Sequence, residues 1–207
     1  MARQHRPAGN SPPTVADPYR WWWDKACTTA RQISTGVAPP TLAVWGPVWE
    51  PGEQAVLATD ISYSRLYGGS GTYTQAGTFV FGRPAVMAGA LAVTAAINYR
   101  RKTAAARDAE PRWRDHQRAQ VIVTTQRMVC ATDTGTEHIW WKAITDLHPD
   151  LSSWSLTLGF GPDYSPMLLS GPAAPALSVW AAAAVFGASW CFDPRLALLN
   201  PTGGGRY

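Results

Sequence analysis

Val121-Ile-Val-Thr-Thr-Gln-Arg-Met-Val-Cys-Ala131 is β-branched or apolar over most of its length. Two similar runs follow, Ile139-Trp-Trp-Lys-Ala-Ile-Thr-Asp-Leu147 and Trp154-Ser-Leu-Thr-Leu-Gly-Phe160. Turn formers bound them: Asp133-Thr-Gly135, Pro149-Asp150 and Gly161-Pro-Asp163. Connections this short join neighbouring strands and leave no room for a crossover helix, so the runs predict an antiparallel meander. Working outward, residues 54–60 read as a first strand with 61–66 as its extension, 72–75 and 78–81 as further short strands after the Gly68-Gly-Ser-Gly71 turn, and 166–170 as a late one.

Before that meander, residues 1–16 are rich in Pro, Gly, Asn, Ser and Thr and read as a flexible arm, because they bury too little to offset their ordering entropy. Asp17-Pro18 supplies a helix cap and a first-turn proline, and the following helix is expected over 19–33 with its end at Gly36. Trp21, Trp22 and Trp23 lie about 100° apart around it, so they cannot share one face. The expectation is a helix seated in a groove of its own domain, with at least one tryptophan on a second surface. Residues 37–52 carry Pro39, Pro40, Pro47 and Pro51, and with Trp45 and Trp49 as anchors they predict an ordered, packed connection. The span 17–50 is thus an N-terminal helix and its Pro/Trp-rich connection.

Arg83-Pro84 opens an alanine-rich stretch, 85–98, that predicts a helix continuing to about 109, before Pro111. It forms the core of a helical insertion at about 82–116. Counted from Phe79, the apolar part approaches the length of a membrane span, but Arg83, the single leucine and the many alanines argue for a buried or interfacial helix. Ala85, Gly89 and Ala92 or Val93 share a face on which another helix can pack closely, in this molecule or in a second copy. At the other end, 173–186 is apolar almost throughout and closes at Gly187, as a buried C-terminal helix does, and 188–207 forms a tail.

Composition narrows the functional classes. The 207 residues suffice for a full core, the charged fraction is only 15%, and 11 tryptophans predict an aromatic-rich interior with apolar surface left for a partner. The net charge of +4 gathers between 100 and 118, where Arg100, Arg101, Lys102, Arg107, Arg112, Arg114 and Arg118 face Asp108, Glu110 and Asp115. Such a segment most often forms a solvated helix face. Cys27, Cys130 and Cys191 contain no Cys-x-x-Cys pair and are read as structural thiols in a reducing compartment. The first residues, Met1-Ala-Arg-Gln-His-Arg-Pro7, carry no secretory signal, so the cytoplasm is the expected location.

A strand series closed by one apolar helix is the ending of a pleckstrin-homology-like barrel. Pro51-Gly-Glu53 before the first strand, Thr124-Thr-Gln-Arg127 within a central one and the helix at 173–186 resemble bacterial pleckstrin-homology and GRAM-like domains over about residues 51–187. With Tyr63-Ser-Arg-Leu-Tyr-Gly-Gly69, Phe81-Gly-Arg-Pro84, Trp113-Arg114, Pro149-Asp150 and Leu169-Ser-Gly-Pro172, the chain is similar to a group of actinobacterial proteins that also travels in phages of those hosts. The resemblance implies a binding or scaffolding barrel, sometimes near membranes, with no shared ligand and no binding residue to carry over.

Catalytic spacing is missing from the sequence. It holds no Gly-x-Ser-x-Gly elbow and no His-Glu-x-x-His, and Gly68-Gly-Ser-Gly71 lacks the Lys-Ser/Thr of a phosphate loop. Glu137 and His138 are neighbours that a strand would point to opposite faces, while His148 near Asp150 reads as a surface or turn residue. No cofactor or metal is implied. The expected function is a non-enzymatic module of α+β fold, a bent antiparallel sheet or small barrel capped by the C-terminal helix. It would bind a protein partner or itself through the insertion helix and exposed tryptophans, with Trp21, Trp22, Trp23, Gly89, Arg100, Arg101, Lys102, Trp113 and Arg114 as candidates. The alternative is a peripheral membrane protein that lays 85–97 in the interface while Arg100, Arg101 and Lys102 meet anionic lipid. Nucleic acid is the weakest reading: Trp113 and the cations offer stacking and phosphate contacts, but the interspersed carboxylates oppose them.

Overall fold

The computed structural model describes residues 17–68, 109–161 and 164–200. Helix α1 (Pro18–Ser34) is followed by strands β1 (Ala55–Tyr67), β2 (Arg112–Thr124), β3 (Arg127–Thr132), β4 (Gly135–Trp140), β5 (Asp146–Asp150), β6 (Ser155–Gly159) and β7 (Met167–Ser170), and then by helix α2 (Ala174–Phe186). The strands form one antiparallel sheet, open between its two ends, in the order β4-β3-β2-β1-β7-β6-β5. This is the α+β architecture expected from the sequence. Compact packing divides the chain into Met1–Arg65 with Asp115–Tyr207, and Leu66–Arg114.

Both ends of α1 follow from local chemistry. The Asp17 carboxylate accepts the Tyr19 N–H at 3.0 Å, and Pro18 occupies the first turn. At the other end Gly36 adopts φ +72°, while its N–H reaches the Ile33 carbonyl and the Val37 N–H the Gln32 carbonyl, which is a Schellman closure. Helix α1 packs on α2, and α2 lies against β5 and β6. Because α2 is apolar all round, it has no polar face to offer water, and Ala174–Ala182 is buried except for Trp180, which is half-buried. The run Ala174–Phe192 has the length and hydropathy of a membrane span; its first half, 174–182, is buried in this fold, while 186–189 and Phe192 are exposed.

The long run that organises the sequence is two strands joined by a tight hairpin. The Thr124 hydroxyl accepts N–H groups from Gln126 at 3.1 Å and Arg127 at 2.9 Å, so a threonine turn forms without Gly or Asn. The second run also divides. Its backbone leaves β4 at Trp140, makes a 3₁₀ turn over Trp141–Ala143 and re-enters the sheet as β5, with Pro149 and Asp150 as its last residues instead of a turn. Strand β2 begins at Arg112, so 112–116 of the expected insertion are strand. Residues 69–108, with the expected strands at 72–81 and helix at 85–98, lie outside the described residues.

Most of the connection after α1 is exposed; within residues 37–52 Val44 alone is buried, and one of the proposed anchors is not. Val44 joins Ala55, Ala58, Ile122 and Val129 in a small second core on the outer face of the sheet, with Leu42 and Trp49 against it. Trp45 is 84% exposed, because Gly46 at φ +118° and Pro47 turn the chain away from the sheet. The clasp is ionic instead. Arg127 donates from Nε and Nη2 to the two Glu53 oxygens, both at 2.9 Å, and from Nη2 to the Val48 carbonyl at 2.8 Å. Thr124 Oγ1 and the Glu50 N–H also donate to the Glu53 carboxylate, at 2.7 and 2.8 Å. Burial alone would raise this carboxyl, but those hydrogen bonds outweigh it and hold the group below its ordinary value.

After α2, 3₁₀ turns at Gly187–Phe192 and Pro194–Leu196 place Trp190, Leu196 and Leu199 in the core. The tail is therefore packed up to Asn200. All three cysteines are free; Cys130 is buried, while Cys27 and Cys191 are only half-buried.

Candidate binding cleft at the open seam of the sheet

Inward-facing side chains on β1 and β4 meet across the concave face. Tyr63 Oη donates to Glu137 Oε1 at 2.8 Å, Arg65 Nε donates to Tyr63 Oη at 2.6 Å, and Arg65 Nη2 pairs with Glu137 Oε2. Arg65 Nη1 also donates to the Ser165 carbonyl at 2.7 Å. Strands β1 and β4 have β2 and β3 between them, about 14 Å in a flat sheet. Side chains meet over that span only because the sheet curls. Desolvation and then the Glu137 hydrogen bond raise the Tyr63 phenol. Burial opposes the Arg65 charge, but the Tyr63 hydrogen bond and Glu137 outweigh it, so the guanidinium is held above its ordinary value. Nearby, burial and then the Glu137 charge push the Cys130 thiol up to about 12, which keeps it protonated and unreactive at neutral pH.

Beside this network, where the sheet fails to close, runs a cleft of about 660 Å³. One wall is the edge of β4, Glu137 to Trp140; the other is Ala143, Phe160 and Tyr164, and Arg65 lies at its base. The Arg65 guanidinium stands 5.4 Å from the Phe160 ring centre, and Arg127 stands 4.8 Å from that of Trp140. Tyr164 is 70% exposed at the rim. With the base charge neutralised and aromatic walls above it, the cleft has the size and character of a site for an apolar group.

The residues singled out from sequence stand elsewhere. Trp22 is buried in the core at 4% exposure, edge-on to half-buried Trp21 at 4.8 Å. Trp23 packs on Trp154 at 5.6 Å, and Tyr19 on the same ring at 4.8 Å. All three tryptophans therefore lean on their own fold. Trp113 and Arg114 lie on β2; Arg114 Nε donates to the Tyr67 carbonyl at 3.1 Å and its guanidinium covers the Tyr67 ring. Gly89, Arg100, Arg101 and Lys102 lie outside the described residues. Glu137 and His138 occupy opposite faces of β4, as alternation requires, with Glu137 in the network and His138 exposed. His148 and Asp150 are exposed on β5. Among the described residues, no group of three or more His, Cys, Asp or Glu is placed to hold a metal ion.

Sequence reasoning missed Tyr63, Arg65 and Glu137 as a group. Tyr63-x-Arg65 is a same-face pair on a predicted strand, and that was the available signal; its partner is 72 residues away and reached only by curvature. No family model matches the chain, and no curated protein matches it.

Proposed function

We propose that this chain is a non-enzymatic binding module of pleckstrin-homology-like type, and that the cleft beside β4 receives an apolar side chain of a protein partner. The observation that carries the reading is the combination at the seam: a concave site of about 660 Å³, aromatic walls, and a base whose Arg65 and Glu137 charges already satisfy each other. A charged ligand would have to break that pair, whereas an apolar one leaves it intact. The strand order, in which a central β1 joins a four-strand half to a three-strand half with a helix packed on β5 and β6, supports the barrel reading. A protein side chain is the occupant favoured here, because a cleft of about 660 Å³ with aromatic walls and a neutralised base suits one large apolar side chain.

The test titrates N-acetyl-phenylalaninamide and N-acetyl-tryptophanamide into the ¹⁵N-labelled full chain. Amide shifts should concentrate at Ile139, Ala143 and Phe160, and Ala143→Trp, which fills the cleft, should abolish them. Shifts no larger than those given by N-acetyl-alaninamide would reject the site.

A further inference from the structure

We infer that the partner binds as an extended strand added to the free edge of β4. This rests on the cleft reading above and specifies how the ligand's backbone is held. The hairpin register decides which β4 groups face outward. Thr132 and Gly135 close a two-residue loop, so 132/135, 130/137 and 128/139 are the hydrogen-bonded pairs of the ladder. The next pair in that parity, 126/141, is bonded as required, with the Trp141 N–H on the Gln126 carbonyl at 3.3 Å. The backbone N–H and C=O groups of Thr136, His138 and Trp140 therefore point away from β3, along the cleft. Among the described residues, no backbone group bonds them from that side.

The opposite edge of the sheet is protected. On β5 the Leu147 carbonyl accepts Arg195 Nη1 at 2.7 Å, and Asp193 fixes that guanidinium. Pro149 brings no N–H at the next same-parity position. Strand β4, Gly135-Thr-Glu-His-Ile-Trp140, has no proline and no lysine, so among the described residues nothing blunts this edge as Arg195 and Pro149 blunt the other. The cleft is lined by four consecutive β4 residues, Glu137 to Trp140, which belong to both faces of the strand. That lining fits a chain lying alongside the edge better than a compact molecule on one face.

The surroundings define the ligand. A strand paired here sends alternate side chains inward, past Ile139 towards Phe160 and Tyr164, where a large apolar residue fits. Lys142, exposed just beyond Trp140 with its Nζ 5.9 Å from that ring, makes no ion pair among the described residues. An acidic residue at that end of the ligand complements it. The occupant is thus an extended segment of another protein with alternating apolar and polar residues and a carboxylate at the Lys142 end.

The probe is a random decapeptide display library panned on the full chain, followed by the most enriched peptide made synthetically. Alternating sequences with an acidic residue at one end should be enriched. N-methylation at backbone positions facing β4 should weaken binding by tenfold or more, and methylation at the intervening positions should do so far less. His138→Pro removes an outward N–H at an edge position where proline is tolerated, so it should abolish binding while the chain still melts cooperatively. Lys142→Glu, independent of any folding defect at 138, should switch the selected end charge from acidic to basic. Enriched peptides without alternation, or equally tolerant of N-methylation at every position, would overturn strand addition. If the amino-acid amides still shift Ile139 and Ala143 in that case, the cleft reading survives and only this inference falls. A concentration-dependent dimer in sedimentation that His138→Pro dissolves would assign the edge to a second copy and overturn the claim of a foreign partner.

Discussion

Replacing Arg127 by methionine leaves the Glu53 carboxylate buried without its guanidinium. The Glu53 side chain is wholly inaccessible and that of Arg127 is 7% exposed, so solvent cannot take over the lost bonds. Removing one partner of such a pair costs about 3–5 kcal/mol. The lower part of that range applies, because Thr124 Oγ1 and the Glu50 N–H still donate to the carboxylate. About 3 kcal/mol corresponds to a fall of roughly 6–12 °C in Tm for a domain of this size. The double variant Glu53→Leu/Arg127→Met removes both charges and should return to within about 1 kcal/mol of the parent.

The same experiment has a pH signature. In the parent the Glu53 carboxyl is held below its unfolded value, so its contribution is full above about pH 4.3 and is lost as pH falls through the folded value. In Arg127→Met, burial remains while the guanidinium is gone, so the carboxyl rises and protonation relieves the defect. The stability gap, followed by urea denaturation from pH 7 to pH 4, should therefore narrow on acidification. A variant that melts within 2 °C of the parent, or a gap independent of pH, would refute the reasoning.

Trp22→Ala should cost about 3–5 kcal/mol by differential scanning calorimetry, because it empties the contact between α1 and the core. Gly187→Ala, at φ +56° and ψ −138°, should destabilise by about 1–3 kcal/mol in the same assay, since that backbone conformation is nearly closed to an L side chain. Asp150, whose carboxylate accepts hydrogen bonds from Ser152 and Ser153 and is lowered to about 2, stabilises its turn above about pH 4 and loses that effect as pH falls towards 2; NMR titration of its carboxyl should give a midpoint near 2.

Much of the fold was legible because strand composition and helix caps are local signals. Asp17-Pro18 and Gly36 fixed α1, and the all-apolar run to Gly187 fixed α2, each by chemistry confined to a few residues. What stayed hidden was non-local. The Thr124 hydroxyl that turns the first hairpin does the work usually advertised by Asn-Gly, so the run looked like one strand. Trp45 was taken for an anchor on size alone, although the buried clasp on that connection is the Glu53–Arg127 pair. The three adjacent tryptophans could not share a face; the core took one, Trp21 packed edge-on against it, and the Trp154 ring took the other. The cleft escaped notice because its walls come from β1, β4 and the end of β6, brought together only when the sheet curls.

The open β4 edge is tested most directly by site-resolved amide hydrogen exchange on the full chain, alone and with a bound library peptide. Glu137 and Ile139, which donate to β3, should be protected in both samples. The Thr136, His138 and Trp140 amides should exchange rapidly in the free chain and become protected with peptide. Equal protection of all five amides in the free chain, or no change at the outward three on binding, would contradict the account.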